Sequence, residues 1–165
     1  SSYDPMQQRM FVCASSVING YTGGPVNADA KFTPPVSGNS FLGGATTFTR
    51  VARTGIIAAL DVTTNKIAWR YQWPEQCYSG TLATAGKLLF VGRNDGRVQA
   101  YDDLSGKLLW QSPKLRAGAN SAPITYTVNG KQYLVIWVGG NSVTSFATGV
   151  APKFGADLYA FALPS

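Results

Sequence analysis

The sequence predicts an all-β protein made of four-stranded antiparallel sheets that succeed one another along the chain as the blades of a partial propeller. Three observations carry that expectation. Residues 55–69 read GIIAALDVTTNKIAW and residues 96–110 read GRVQAYDDLSGKLLW, so that Gly55, Ala59, Asp61, Lys66 and Trp69 recur 41 positions later as Gly96, Ala100, Asp102, Lys107 and Trp110. Between residues 79 and 110 four short β-forming stretches alternate with turns, and a period of about 40 to 45 residues with four strands per unit is that of propeller blades. The composition agrees: 18 Gly, 8 Tyr and 8 Phe in 165 residues, with 45% apolar and only 13% charged residues, describe a turn-rich β protein able to bury a core.

In chain order, residues 9–14 (RMFVCA) form the first clear strand, and residues 44–60, rich in Thr and β-branched residues, suit strands better than a helix. No helix longer than a turn or two is expected. Residues 87–92 form the next strand, Asp95-Gly96 a turn, and residues 97–102 the strand that follows. Leu104-Ser105-Gly106 then supplies a turn in which Gly can take positive φ, and residues 107–110 return. Asn65 holds the equivalent turn position in the first copy, and Asn tolerates the left-handed region. Asn129-Gly130 turns the chain into the strand at 133–138, and a shortened third copy, DLYAFAL, covers 157–163. The strands at 9–14, 87–92 and 133–138 read as corresponding strands of three successive blades. Gly, Pro, Asn and Thr-rich stretches at 19–50 and 139–155 read as irregular loops, which in compact β proteins usually rim a functional face.

The ionisable inventory excludes whole classes of chemistry. With no histidine there is no Ser-His-Asp triad, no His-metal cluster and no imidazole base; Glu75 is the only glutamate, which removes Glu-rich metal sites. Two cysteines, Cys13 and Cys77, form no CxxC, and their pairing is left open by the sequence. The net charge of +6 comes from 14 scattered Lys and Arg, which read as a solvated basic surface rather than a phosphate-binding patch. The longest aliphatic and aromatic run, 133–138, is far too short to span a bilayer. The Gly pairs at 23–24, 43–44 and 139–140 fit neither GxGxxG nor GxxxxGK[ST].

Candidate functional residues are few. Trp69 and Trp110, at a fixed repeat position, are expected to fill the space between neighbouring sheets with a buried ring and an indole N–H near a backbone carbonyl. Asp61 and Asp102 flank turns carrying Thr64 and Ser105, which points to turn capping, with metal ligation the alternative. Cys77, Tyr78, Ser79 and Gly80 place a thiol, a phenol and a hydroxyl just before a strand, at the end of the blade opposite the repeat turns. They are either a lead-in turn or a ligand contact.

The twice-occurring pattern A-x-D-x-x-[TS]-[GN]-K-x-x-W resembles the tryptophan-docking motif of quinoprotein dehydrogenases, eight-bladed β-propellers that bind pyrroloquinoline quinone (PQQ) and usually Ca2+. Residues 78–86 (YSGTLATAG), followed by Leu89-Phe90-Val91-Gly92 and Asp95-Gly96, are similar to the Gly-Thr-x-x-Thr-Ala-Gly-x-x-x-Phe segment of the methanol and alcohol dehydrogenases of this class. Residues 123–126 (PITY), 129–133 (NGKQY) and the ending LYAFALP resemble membrane glucose dehydrogenase as well. The resemblance implies that residues 1–165 are about three to four blades from the C-terminal part of a longer periplasmic or periplasm-facing enzyme, with no separate second domain. That enzyme would oxidise an alcohol or sugar by hydride transfer to PQQ and pass electrons to a cytochrome c or a membrane quinone. It makes Tyr78 the counterpart of a cofactor-contacting Trp, with Ser79 where methanol dehydrogenase has Gly. It implies cofactor contacts at Cys77, Tyr78, Ser79 and Gly80, and assigns this chain no catalytic base and no Ca2+ ligand, so that alone it is expected to be inactive and to bind no cofactor. Its open blade faces would meet the rest of the propeller or a second copy. A non-catalytic scaffold propeller of the outer-membrane assembly lipoprotein type is the alternative the motif also allows.

Overall fold

The computed structural model describes residues 1–24, 44–48 (backbone only), 51, 53–140 and 155–163, and among them it is all β, with no helix. The first sheet joins β1 (Ser2–Asp4), β2 (Arg9–Ser16), β5 (Thr54–Asp61) and β6 (Lys66–Trp73) in the order β1-β2-β5-β6. The second joins β7 (Thr81–Ala83), β8 (Leu88–Gly92), β9 (Val98–Asp102) and β10 (Leu108–Gln111) as a meander, and the third joins β11 (Ile124–Val128), β12 (Lys131–Val138) and β13 (Asp157–Ala162). Every pairing is antiparallel. The strands expected at 9–14, 87–92 and 133–138 lie in β2, β8 and β12, the second strand of each sheet.

Residues Val17–Ala52 form a compact unit of their own. Within it β3 (Asn19–Gly23) pairs antiparallel with β4 (Gly44–Phe48), from Asn19 opposite Phe48 to Gly23 opposite Gly44. The reading of 19–50 as irregular is therefore corrected at 19–23, while β4 falls within 44–60, the stretch that suits strands; most of the intervening stretch, like 141–154, lies outside the described residues.

The repeat turns take the conformation that their residues favour. Asp61 Oδ1 accepts the Thr63 and Thr64 amides at 3.0 and 3.1 Å and the Thr63 hydroxyl at 2.6 Å. Asp102 Oδ1 accepts the Ser105 amide at 2.7 Å and its hydroxyl at 2.6 Å. Asn65 (φ 56°) and Gly106 (φ 73°) fill the matching left-handed position. These bonds, led by the hydroxyls of Thr63 and Ser105, hold the Asp61 carboxyl down at about 2 and lower that of Asp102. Both aspartates cap turns, and no group of three or more metal-ligating side chains occurs among the described residues.

Two apolar seams hold the three sheets together. Phe11 of β2 and Ile57 and Ala59 of β5 pack with Leu89 and Val91 of β8, Tyr101 of β9, Trp73 and Cys77. On the other face of the second sheet Val98 packs with Ala117, Ala119, Leu134, Ile136 and Val138. Strand β9 is buried on both sides, because alternate residues serve alternate seams.

The tryptophans sit beside matching irregularities. In β6 Ile67 pairs with Leu60 and Trp69 with Ala59, leaving Ala68 unpaired; in β10 Leu108 pairs with Tyr101 and Trp110 with Ala100, leaving Leu109 unpaired. Such bulges re-aim the side chain that follows them. Trp69 thereby lies over the second sheet's repeat turn: its Nε1–H donates to Asp103 O at 3.0 Å, and a Cβ on Gly106 would stand 2.5 Å from its ring. Its ring centroid lies 6.1 Å from both Phe11 and Tyr101. Trp110 departs from the expectation of burial. It is 39% exposed and meets Phe161 edge-on at 5.2 Å, since the described part of the third sheet has no fourth strand or repeat turn to receive it.

Candidate functional site

The segment between β6 and β7 crosses from the first sheet to the second, and its path is set by close backbone approaches. A side chain at Gly55 would collide with the backbone of Glu75 and Cys77, one at Gly80 would stand 2.6 Å from Ala122 Cβ, and one at Gly92 would strike the Ala119 carbonyl. The 77–80 segment is thus clamped between β5 on one side and residues 119–122 on the other, at the end of the second sheet opposite the turn at 102–106.

Each of the four residues singled out in the sequence has a distinct position. Cys77 is buried and disulfide-bonded to Cys13 of β2, with a Cα–Cα distance of 5.6 Å. This settles the pairing that the sequence leaves open, and position 77 carries a disulfide sulfur rather than a free thiol. Its carbonyl accepts the Ser15 hydroxyl at 3.0 Å. Ser79 is also buried: Oγ lies 2.7 Å from Gly80 O and 2.8 Å from Ser121 O and accepts the Gly92 amide at 3.0 Å. The hydroxyl thereby joins the 79–80 backbone to residues 92 and 121. Gly80 provides the close approach to Ala122. Tyr78 is only partly buried; that burial pushes its phenol up, with the Arg53 charge opposing.

A polar cluster that sequence reasoning missed adjoins this segment. Arg93 Nε donates to Glu75 Oε1 at 2.6 Å, Nη2 contacts the same oxygen and lies 3.5 Å from Asp95 Oδ2, and the guanidinium stands 5.0 Å from the centre of the Trp73 ring. Asp95 also pairs with Arg97. Beside it Asn120 Nδ2 donates to Asn94 Oδ1 at 2.8 Å, while Asn120 Oδ1 is buried without a donor. The only signal was the lone glutamate in PEQ and the charge alternation of RNDGR, neither of which specifies a contact. Among the four residues singled out, Tyr78 carries the one aromatic ring, and that ring is partly exposed.

Comparison with known proteins places this geometry in a family context. Residues 73–134, which include the whole second sheet and the clamped segment, match the β-propeller domain of the glucose, ethanol and alcohol dehydrogenases of the PQQ class. The chain is 36% identical over 132 residues to a quinoprotein glucose dehydrogenase of Gluconobacter oxydans, a match covering 67% of this chain and 16% of that protein. It is 37% identical over 108 residues to the quinohemoprotein alcohol dehydrogenase ADH-IIG of Pseudomonas putida, covering 65% of this chain and 15% of the relative. The crystal structure of quinohemoprotein alcohol dehydrogenase from Comamonas testosteroni superposes with a TM-score of 0.74 at 28% identity, covering 98% of this chain and 25% of that one. The chain therefore spans about one-sixth of the length of the curated relatives it matches.

Proposed function

Taking as premise that the chain is a partial β-propeller related to the quinoprotein glucose and alcohol dehydrogenases, we propose that it is the C-terminal propeller region of a PQQ-dependent oxidoreductase. Its role there is to supply one wall of the cofactor site. The observation that carries the reading is the coincidence of the family match at 73–134 with the clamped segment 77–80. Tyr78 would contact the cofactor, Gly80 would allow close backbone approach, and Cys77 and Ser79 would act through their disulfide and hydrogen bonds by fixing where Tyr78 stands. PQQ, when bound, supplies the hydride-accepting quinone. The catalytic base and the Ca2+ site are assigned to the rest of the parent, which would oxidise an alcohol or a sugar in the periplasm and reduce a cytochrome c or a membrane quinone.

The described surface supports the accompanying partner reading. Ile124, Tyr126 and Val128 of β11, Trp137 of β12 and Leu158 of β13 are all exposed on the third sheet. An apolar sheet face of this kind is suited to cover by another part of the propeller or by a second copy. The test is to follow reduction of an artificial electron acceptor with PQQ, Ca2+ and a panel of alcohols and sugars, using the parent polypeptide and the 165-residue chain in parallel. Turnover by the parent and none by the chain is the expected result. Absence of PQQ-dependent turnover in the parent would overturn the enzyme reading and favour a scaffold.

A further inference from the structure

Asp103 is the first turn residue after β9, inside the joint between the first and second sheets, on the end of the sheets opposite the 77–80 segment. Its side chain is fully buried, and neither carboxyl oxygen has a donor. Its backbone is held from both sides, with its amide donating to Lys87 O at 3.2 Å and its carbonyl accepting the Trp69 indole. From β1 the Asp4 carboxyl acts on the Asp103 carboxyl as a neighbouring acid. Asp4 Oδ1 itself accepts the Met6 and Gln7 amides at 2.8 and 3.3 Å. The other charges acting on Asp103 are Asp102, at the end of β9, and Lys87 in the β7–β8 turn; Arg9 of β2 lies opposite Asp4 in the register and is ion-paired with Asp61, and from β6 the Trp69 indole donates to the Asp103 carbonyl.

A carboxylate buried with no donor on either oxygen cannot ionise at low cost, and a second carboxyl beside it adds to that cost. We propose that Asp103 keeps a proton inside the inter-sheet joint, so that the joint is held more tightly in mild acid than at neutral pH. A resident divalent cation is the less fitting occupant, because two carboxylates fall short of the six to eight oxygens that Ca2+ takes and Lys87 opposes positive charge there. Burial, followed by the neighbouring Asp4 carboxyl, pushes the Asp103 carboxyl up to about 6. The sign follows from linkage: a group whose folded value lies above its unfolded one stabilises the fold below the unfolded value and loses that stabilisation as pH rises through the folded one. The depressed carboxyls of Asp61 and Asp102 act oppositely and only at lower pH, so the interval from about pH 5 to 7.5 isolates Asp103.

The experiment is a urea titration of the chain at steps across that interval, for the wild type, Asp103→Asn and Asp4→Asn, together with a carbon-13 NMR titration of the wild-type carboxyl groups. The wild-type midpoint is expected to fall as pH rises, both variants to flatten that fall, and one Asp carboxyl resonance to titrate far above the ordinary value of about 3.9. Parallel pH profiles for all three proteins, or Asp carboxyls that all titrate in the ordinary range, would overturn the proposal. If neither variant folds, the NMR titration decides alone. A rise of the wild-type midpoint at pH 7 in millimolar Ca2+ that Asp103→Asn abolishes would overturn it in favour of a cation site.

Discussion

Replacing Trp69 by Ala removes the group that locks the first sheet onto the second. The loss has three parts: the indole packing in the seam with Phe11 and Tyr101, the hydrogen bond to Asp103 O, and the cover over Gly106. Deleting a buried aromatic costs about 3 to 5 kcal/mol, of which a neutral hydrogen bond is about 1 kcal/mol and each ring pair about 0.5 to 1.5 kcal/mol. Because Trp69 is only partly buried, about 3 to 4 kcal/mol is the expected loss. Trp110 occupies the same repeat position but is 39% exposed with one edge-on ring partner, and Trp110→Ala should cost about 1 to 2 kcal/mol. Trp69→Phe, which keeps a ring and loses the N–H, should fall between wild type and Trp69→Ala. Urea denaturation of the three variants at constant m-value measures the differences. A loss below about 1 kcal/mol at Trp69, or equal losses at the two tryptophans, would refute the reasoning that the docking depends on the repeat turn of the following sheet.

Three further outcomes follow from the same coordinates. Reducing the Cys13–Cys77 disulfide, which closes a 64-residue separation, should cost about 4 kcal/mol by chain entropy, read as the shift in urea midpoint with and without reductant; no shift would contradict a stabilising cross-link between β2 and the crossing segment. Gly92→Ala should destabilise by about 1 to 3 kcal/mol because its Cβ meets the Ala119 carbonyl. Gly86→Ala, whose nearest neighbour would be Thr84 Oγ1 at 3.8 Å, should be nearly neutral in the same thermal melts, and the reverse order would show that residues 119–122 do not clamp the sheet. Asp61, held at about 2, contributes stability above its unfolded value that disappears as pH falls from about 4 toward 2. Asp61→Asn should remove that acid-side dependence, and an unchanged acid limb would show that its turn bonds do not persist in solution.

The sheets were legible because short apolar, β-forming runs and turn residues coincide: RMFVCA, KLLFVG and YLVIWV lie in the second strands, and Asn65 and Gly106 take the expected positive φ. The β3–β4 pairing was not, since NGYTG carries no apolar alternation and meets GATTF across a long intervening stretch. The two tryptophans look equivalent in sequence, yet the burial of each is decided by the sheet that follows it. The sequence singles out residues 77–80 but not the contacts they make. Disulfide formation at Cys77 depends on β2 lying beside the crossing segment, and the Ser79 bonds depend on Ser121, 42 residues away. Asp103 carries no signal of its own beside the turn acid Asp102, and its complete burial is evident only once the first and second sheets are packed.

Cofactor retention in the parent polypeptide tests most directly whether the clamped segment walls the PQQ site. Wild type and Tyr78→Ala are loaded with PQQ and Ca2+, dialysed, and assayed for bound cofactor alongside a thermal melt. Retention several-fold lower in the variant at a similar melting temperature is the expected result. Equal retention, or a loss of cofactor that merely tracks a loss of folding, would contradict the account.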